Sequence, residues 1–299
     1  MPNLFYFHSF ARLLIFYMEI FHQKQPLTNH IESLRNKGNS IGLVPTMGAL
    51  HKGHMSLVKK ALIKNKTVVV SIFVNPTQFD NSSDLEKYPK NLEADLKILE
   101  KINKNIIVFA PSVNEIYANN ISSEKFDFDG LDIEMEGKFR DGHFNGVGTI
   151  VKQFFEIVKP DDAYFGEKDY QQLLIIKKLV EKYKIPVNII GCPISREANG
   201  LAMSSRNERL SKETREKASF IYDTLLTAKE KFGTKSANYI TEWVENQFRE
   251  NNTFDLEYYI IADNNTLKTV KRKEKNKAYR AFIAVYANDV RLIDNIALN

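Results

Sequence analysis

The sequence predicts an α/β protein: a parallel sheet whose strands alternate with helices, followed by a smaller C-terminal α+β domain. Three observations carry that reading. Strand-like and helix-like runs alternate from residue 40 to residue 192, as parallel strands joined by right-handed crossovers require. Thr67-Val68-Val69-Val70-Ser71-Ile72-Phe73-Val74 is nearly continuous in β-branched residues, the pattern of a strand buried on both faces. After Cys192 the order changes to a polar loop, two helices and then three strands, which sets a boundary near Ile194. The expected division is an N-terminal extension at 1–17, a parallel-sheet domain at 18–194 and an α+β domain at 195–299.

At 299 residues, with 43% hydrophobic and 26% charged side chains, the chain has the composition of a globular protein with a real core. Cys192 is the sole cysteine, which excludes an internal disulfide and fits a reducing, cytoplasmic compartment. It lies in the apolar run Val187 to Cys192 and reads as a buried structural thiol. The net charge of +5 is concentrated between Lys268 and Arg280, a local +6, so the rest of the chain sums to about −1. That distribution argues against a nucleic-acid-binding field, and the run, poor in aromatics, reads as a solvated hairpin loop.

In chain order, residues 1–17 are rich in Phe, Leu and Tyr, but Arg12 interrupts them. Leu13 to Tyr17 is too short for a signal-peptide core or a membrane span. Met18 opens a more usual sequence and reads as the native start. A helix is expected over Leu27 to Lys37, capped by Thr28 or Asn29. Ser40-Ile41-Gly42-Leu43-Val44 reads as a buried strand, and Met55 to Ile63 as a helix with Leu57, Ala61 and Leu62 near the 3.6 period. The β-branched strand ends at Asn75-Pro76-Thr77-Gln78-Phe79, at the carboxyl edge where open α/β sheets bind ligands. Further helices are expected over Leu92–Lys104, Val147–Val158 and Tyr170–Tyr183, with strands at Ile106–Ala110, Asp162–Phe165 and Val187–Cys192. Ser112 to Asp132 reads as a polar surface excursion, and Gly137 to Gly146 as a glycine-punctuated loop. Beyond the boundary, helices are expected near Lys212–Phe232 and Ala237–Asn251, and strands near Asp255–Ile261, Tyr279–Tyr286 and Val290–Ile293.

Between the first expected strand and its helix runs Pro45-Thr46-Met47-Gly48-Ala49-Leu50-His51-Lys52-Gly53-His54. A helix start suits an anion, because its first N–H groups are unpaired and the dipole adds partial positive charge. Gly48 and Gly53 leave room for a phosphate near the backbone. His51 and His54 place imidazole donors beside it and can stabilise leaving-group charge. An i, i+3 histidine pair can also ligate zinc, but no Cys, third His or suitably placed Asp accompanies this one. The His-x-Gly-His helix start resembles the signature of the adenylyl- and cytidylyltransferase superfamily. Two further loops carry compatible groups. Lys168 is a point charge for phosphate oxygens, and Ser204, Ser205 and Arg206 offer hydroxyls, N–H groups and a guanidinium fork. Singly, Gly-Glu-Lys-Asp also suits a turn and Ser-Ser-Arg a helix cap.

Taken in order, four runs resemble the pantothenate synthetase (pantoate–β-alanine ligase) family: Pro45 to His54, Val74 to Phe79, Tyr164 to Leu173 and Gly200 to Asn207. The resemblance spans about Met18 to Asn295. It implies a Rossmann-like nucleotide-binding domain and ATP-dependent condensation of (R)-pantoate with β-alanine. The products are pantothenate, AMP and pyrophosphate, formed through a pantoyl adenylate, with Mg²⁺ present and no metal ligands specified. It implies that Met47, Gly48, Ala49, Leu50, His51, Lys52, Gly53 and His54 wrap ATP, with His54 as general acid. Gly166, Glu167, Lys168 and Asp169 would hold the nucleotide, and Ser195 the adenine through its backbone. Met203, Ser204, Ser205 and Arg206 would close over the triphosphate. His51, His54, Lys168 and Arg206 form the implied catalytic set. Gln78 and Gln172 would hold pantoate, and Arg140 would assist there or at the subunit edge. Asp95 is one carboxylate that could reach the metal, which could also ride on phosphates and water alone. A homodimer with small-molecule substrates, and neither nucleic acid nor membrane as partner, completes the expectation.

Four positions depart from the family pattern. Asp141 stands where proline is usual, Asn199 where aspartate is usual, Thr77 in place of a common methionine and Ser195 at an often apolar site. On the residues alone, two other readings stay open: a nucleotidyltransferase that stops after nucleotidyl transfer, and a nucleotide-sensing or RNA-binding module using Lys268 to Arg280.

Overall fold

The computed structural model describes residues 18–79, 82–103 and 105–299. The reading of residues 1–17 as an extension lies outside them. Six strands form one parallel sheet: β1 (Glu19–Phe21), β2 (Ile41–Thr46), β3 (Thr67–Ile72), β4 (Ile107–Phe109), β5 (Asp162–Gly166) and β6 (Asn188–Cys192), in spatial order β1-β4-β3-β2-β5-β6. From β2 the chain steps outward through β3 to β4 and then returns to β5 on the far side of β2. The order therefore reverses between β2 and β5, which opens a crevice at their carboxyl ends. β1 was not expected from sequence. Three residues show no periodicity, and the strand exists because Glu19, Ile20 and Phe21 pair with Ile107, Val108 and Phe109.

Side chains of β3 go alternately to the two faces, as the β-branched run predicts. Val69 joins a cluster with Leu27, Leu43, Phe109, Phe154 and Ile175, whereas Val68 and Val70 join Val58, Ala61, Leu99 and Tyr164. The first cluster is covered by α1 (Lys24–Asn36), α7 (His143–Val158) and α8 (Tyr170–Tyr183), the second by α2 (Lys52–Lys64) and α4 (Leu92–Glu100). The short helices α3 (Ser82–Lys87), α5 (Val113–Tyr117) and α6 (Met135–Phe139) lie in the connections. Cys192 is buried beside Tyr164, and burial pushes its thiol pKa up.

Several expectations are corrected. α1 begins at Lys24 rather than Leu27 and uses neither Thr28 nor Asn29 as cap; Glu115 accepts the Lys24 N–H at 2.8 Å instead. α4 stops at Glu100. Ser112 to Asp132 is no surface excursion, because it contains α5 and buries Phe126, Phe128 and Leu131. The stretch Gly137 to Gly146 holds the end of α6 and the first turn of α7 rather than one loop.

The C-terminal region starts with α9 (Lys212–Lys217) and α10 (Ser219–Phe232), two helices broken at Ala218 where one was expected, followed by α11 (Ala237–Arg249). The antiparallel strands β7 (Asp255–Asp263), β8 (Tyr279–Ala287) and β9 (Val290–Ala297) follow, the last two joined by a two-residue turn at Asn288-Asp289 with Asn288 left-handed. One face of this sheet buries Tyr259, Ile261, Ile283 and Val285 against Leu225, Ile240 and Val244. The other face contributes Tyr258, Ile260, Ala262 and Phe282 to the cluster around α8, so the small sheet packs against that helix. In the basic run, residues 271–278 are exposed, but Arg280 is buried with its guanidinium 3.9 Å from the Tyr170 ring, so it is not part of a solvated loop. Among the described residues no helix is long and apolar enough to cross a membrane.

Candidate active site

A cleft of about 230 Å³ opens at the carboxyl ends of β2 and β5, where the strand order reverses. Its first wall is the turn from β2 into α2. Gly48 (φ +80°) and Ala49 (φ +49°) are both left-handed, and a side chain at Gly48 would meet Asp95 Oδ2 at 3.0 Å, so glycine is required there. Asp95 accepts the N–H of Ala49 at 3.1 Å and of Leu50 at 2.7 Å. Both carboxylate oxygens are thus engaged with the loop backbone.

His51 is the N-cap of α2. Its Nδ1 accepts the Gly53 N–H at 3.1 Å, while His54 Nδ1 accepts the His51 N–H at 3.3 Å, a reciprocal capping box. Accepting at Nδ1 leaves the proton of each neutral ring on Nε2. Burial, then the charge of Lys168, lowers the His51 pKa to about 4. Burial, then His51 and Lys168, holds His54 well below its ordinary value. Both rings line the cleft as neutral Nε2–H donors at pH 7.

The second wall is the turn after β5. Gly166, Lys168 and Asp169 line the cleft, with Lys168 Nζ 3.0 Å from Asp169. The small sheet holds this turn from behind, since Asn295 Nδ2 donates to the carbonyls of Glu167 and Lys168, both at 2.9 Å. The third wall is 195–206, a loop closed by the Met203 N–H to the Ser195 carbonyl and anchored by Arg196 on Asp294. Ser205 Oγ donates to the Ala49 carbonyl, joining this wall to the first. Arg206 donates to Asp84 of α3 at 2.6 Å, and Arg209 pairs with the same carboxylate. Asn199, where the family usually has aspartate, donates through Nδ2 to the carbonyls of Arg215 and Glu216, a contact that a carboxylate could not make.

The fourth wall carries amides. Gln78 is buried at the turn after β3, and its backbone carbonyl accepts from His143 Nδ1 at 2.7 Å and from Arg140 at 3.2 Å. The carbonyl can only accept and Arg140, at 3.1 Å from His143 Nε2, can only donate, so His143 is the neutral Nδ1–H tautomer. Gln172 lines the cleft, whereas Gln171 is buried and structural, bound to the carbonyls of Leu131 and Glu134 and to the Glu136 N–H. Neither glutamine is helix surface.

Of the expected site residues, Met47, His51, Gly53, His54, Gln78, Gly166, Lys168, Asp169, Gln172, Ser195, Met203, Ser204, Ser205 and Arg206 come together around the cleft, with Arg140 beside Gln78. Gly48, Ala49 and Leu50 shape the loop without lining it. Lys52 is exposed, and Glu167 lies 3.9 Å from Arg280. Sequence reasoning missed His143, Asn75 and Asn295. Asn75 stands inside the run Val74 to Phe79, but a polar residue in a motif does not reveal which backbone it will meet.

A sequence model of the family described as pantoate-beta-alanine ligase matches residues 19–297. The chain is 60% identical over 282 residues to the pantothenate synthetase of Christiangramia forsetii, covering 94% of this chain and 100% of that protein. It resembles the solved pantothenate synthetase of Thermus thermophilus with a TM-score of 0.86 at 37% identity, over 94% of this chain and 99% of the other. The pantoate-beta-alanine ligase of Francisella tularensis, solved in complex with beta-gamma ATP and beta-alanine, matches with a TM-score of 0.73 at 37% identity, over 94% and 98% of the two chains. Near-full-length similarity on the same parallel-sheet fold leads to one conclusion: this chain belongs to the pantoate–β-alanine ligase family.

Proposed function

We propose that this cleft joins pantoate to β-alanine at the expense of ATP, with the triphosphate at the α2 start and pantoate between Gln78 and Gln172. The observation that carries the reading is the convergence of the His51–His54 pair, Lys168 and Arg206 with two amides in one crevice. In the first step a pantoate carboxylate oxygen attacks the α-phosphorus of ATP and pyrophosphate leaves. In the second the β-alanine amine attacks the acyl carbon, AMP leaves and the amine gives up a proton.

Each group has a physical task. A carboxylate approaches a polyanion, so Lys168, Arg206 and the two Nε2–H donors offset charge on the phosphates. Arg206 then exchanges Asp84 for phosphate oxygens or shares itself between them. Holding the reactants in line contributes roughly 7–11 kcal/mol of barrier reduction. The segment 195–206, and with it the 195–299 unit, acts as a lid that keeps water from the acyl adenylate.

Mg²⁺ enters with the triphosphate. Among the described residues no cluster of three His, Cys, Asp or Glu side chains is placed to hold an ion, so no step is assigned to a protein-bound metal. We further propose a cytoplasmic homodimer. The free cysteine fits a reducing compartment. Among the described residues β6 closes one side of the sheet with an unpaired outer edge, and Ile63 of α2 is 87% exposed. Sedimentation tests the dimer.

The functional test is AMP formation from ATP and Mg²⁺ with pantoate and β-alanine omitted in turn. AMP requiring both, with pantoate alone driving pyrophosphate exchange into ATP, is the expected result. Indifference to pantoate would overturn the reading.

A further inference from the structure

Through Asn75, which lines the cleft, Gln78 is wired to Thr77 and Tyr117, which do not, and the wiring starts from a fixed point. The Gly146 carbonyl, which can only accept, lies 3.1 Å from Asn75 Nδ2, so that end of the Asn75 amide is its NH₂. The same NH₂ lies 3.2 Å from Gln78, so the Gln78 atom facing it is Oε1. Gln78 therefore turns its own NH₂ the other way, where Nε2 lies 2.7 Å from Met47 Sδ in the cleft wall. At the far end of the Asn75 amide two hydroxyls converge on Oδ1: Tyr117 donates at 2.5 Å and Thr77 at 3.1 Å, and the two lie 2.9 Å apart. Tyr117 and Asn75 are buried, and burial raises the Tyr117 pKa, so the phenol remains a donor at neutral pH.

We propose that the Tyr117–Thr77 hydroxyl pair is a positioning device for recognition of the acid substrate: it fixes the Asn75 amide, which in turn holds Gln78 with its NH₂ toward the substrate's oxygens. This rests on the reading of Gln78 as a pantoate ligand. A reversed Gln78 amide would present a carbonyl oxygen to a carboxylate or hydroxyl oxygen and repel the former. Thr77 gives the device its second hydroxyl at the position where the family usually carries methionine. Each hydroxyl alone still caps Asn75 Oδ1, so the two are partly redundant. Removing both leaves a buried acceptor unpaired and frees the amide to turn.

The test compares Tyr117→Phe, Thr77→Val, their double variant and Gln78→Ala in the full chain, reading KM for pantoate, KM for ATP, kcat and melting temperature. Each single change is expected to raise the pantoate KM by about threefold, and the double by more than the product of the two, on the order of thirtyfold, because contacting residues couple. The ATP KM stays within about twofold of the parent, since the triphosphate groups are elsewhere in the cleft. A lower melting temperature with an unchanged ratio of pantoate to ATP KM would make the pair purely structural and overturn the proposal. If Gln78→Ala raises the pantoate KM and the hydroxyl variants do not, the positioning proposal alone fails. If Gln78→Ala leaves it unchanged, the pantoate role of Gln78 fails with it. Should the double variant not fold, an unchanged ratio in both single variants overturns the proposal.

Discussion

The Asp95 carboxylate accepts the backbone N–H groups of Ala49 and Leu50, so one buried side chain on α4 sets the path of the loop that presents both histidines. Burial pushes its pKa up and the two N–H donors oppose that shift. Asp95→Asn keeps the size but turns an NH₂ toward one of the two N–H groups. The expected cost is about 1–3 kcal/mol, the penalty for an unsatisfied buried donor, read as a lower melting temperature together with a higher KM for ATP. An unchanged ATP KM would separate the loop's shape from nucleotide binding.

A triphosphate at the histidine pair would couple its binding to protonation of the rings. An unfolded histidine titrates near 6.5, whereas His51 in the fold titrates at about 4. Between those values the unfolded chain binds more protons, so this contribution to stability is complete above pH 6.5 and is lost as pH falls to about 4. A triphosphate beside the rings favours imidazolium and raises their pKa. ATP binding near pH 5 should therefore take up protons and near pH 8 should take up almost none, measured by calorimetry in two buffers of different ionisation enthalpy. No uptake at pH 5 would place the triphosphate away from the pair. His54→Ala should lower turnover by about 10²–10⁴, the range for a proton-transferring group.

α7 touches the Gln78 turn through a glycine. A Cβ on Gly146 would stand 2.2 Å from the Thr77 carbonyl oxygen and 2.5 Å from its carbon, both backbone atoms that no rotamer change can move aside. Gly146→Ala should cost roughly 1–3 kcal/mol by overpacking and push the turn toward the cleft. The melting temperature should fall and the pantoate KM should rise more than the ATP KM. An alanine variant with native values for both would mean that the turn yields freely.

Glu136 joins the two sheets' regions. It accepts from both guanidinium nitrogens of Arg291, at 2.7 and 2.8 Å, and from Tyr258 Oη at 2.7 Å. Burial acts to raise its pKa, but Arg291 and Tyr258 overcome that and hold it at about 2. Its stabilising effect is present above pH 4.5 and is lost as pH falls through about 2. Glu136→Gln should destabilise by roughly 1.5–3 kcal/mol at neutral pH, because it removes one of the two carboxylates that pair with Arg291 and leaves Glu257 as the other. The difference in melting temperature from the parent should shrink as pH drops from 4.5 toward 2, and a constant difference would exclude the ion pair as its source.

Much of the fold was legible because its signals are local. The β-branched run Thr67 to Val74 could be read as a two-faced buried strand, since burial on both faces removes the polar alternation that a half-exposed strand needs. The histidine loop was legible because a helix start, two glycines and two imidazoles sit within ten residues. β1 was not, because three residues carry no period and the strand depends on pairing with β4 some 88 positions away. Phe126 and Phe128 were misread as surface for the same reason: what buries them is α7 and α8, not their neighbours in sequence.

By itself the sequence determined the alternation of strands and helices, the helix-start histidine loop from Met47 to His54 and the set of charged groups around it. These follow from periodicity, backbone conformation and side-chain chemistry, all of which act within a few residues. Only the tertiary structure decided which polar group each of those residues meets. Asp95 became a loop clamp, Gln171 a buried brace and Gln172 a cleft residue. Tyr117, from a segment that looked like solvent-facing loop, reached the amide behind Gln78. A buried donor or acceptor must find a partner, and the partner is chosen by what the packed chain brings within about 3 Å, which no local pattern encodes.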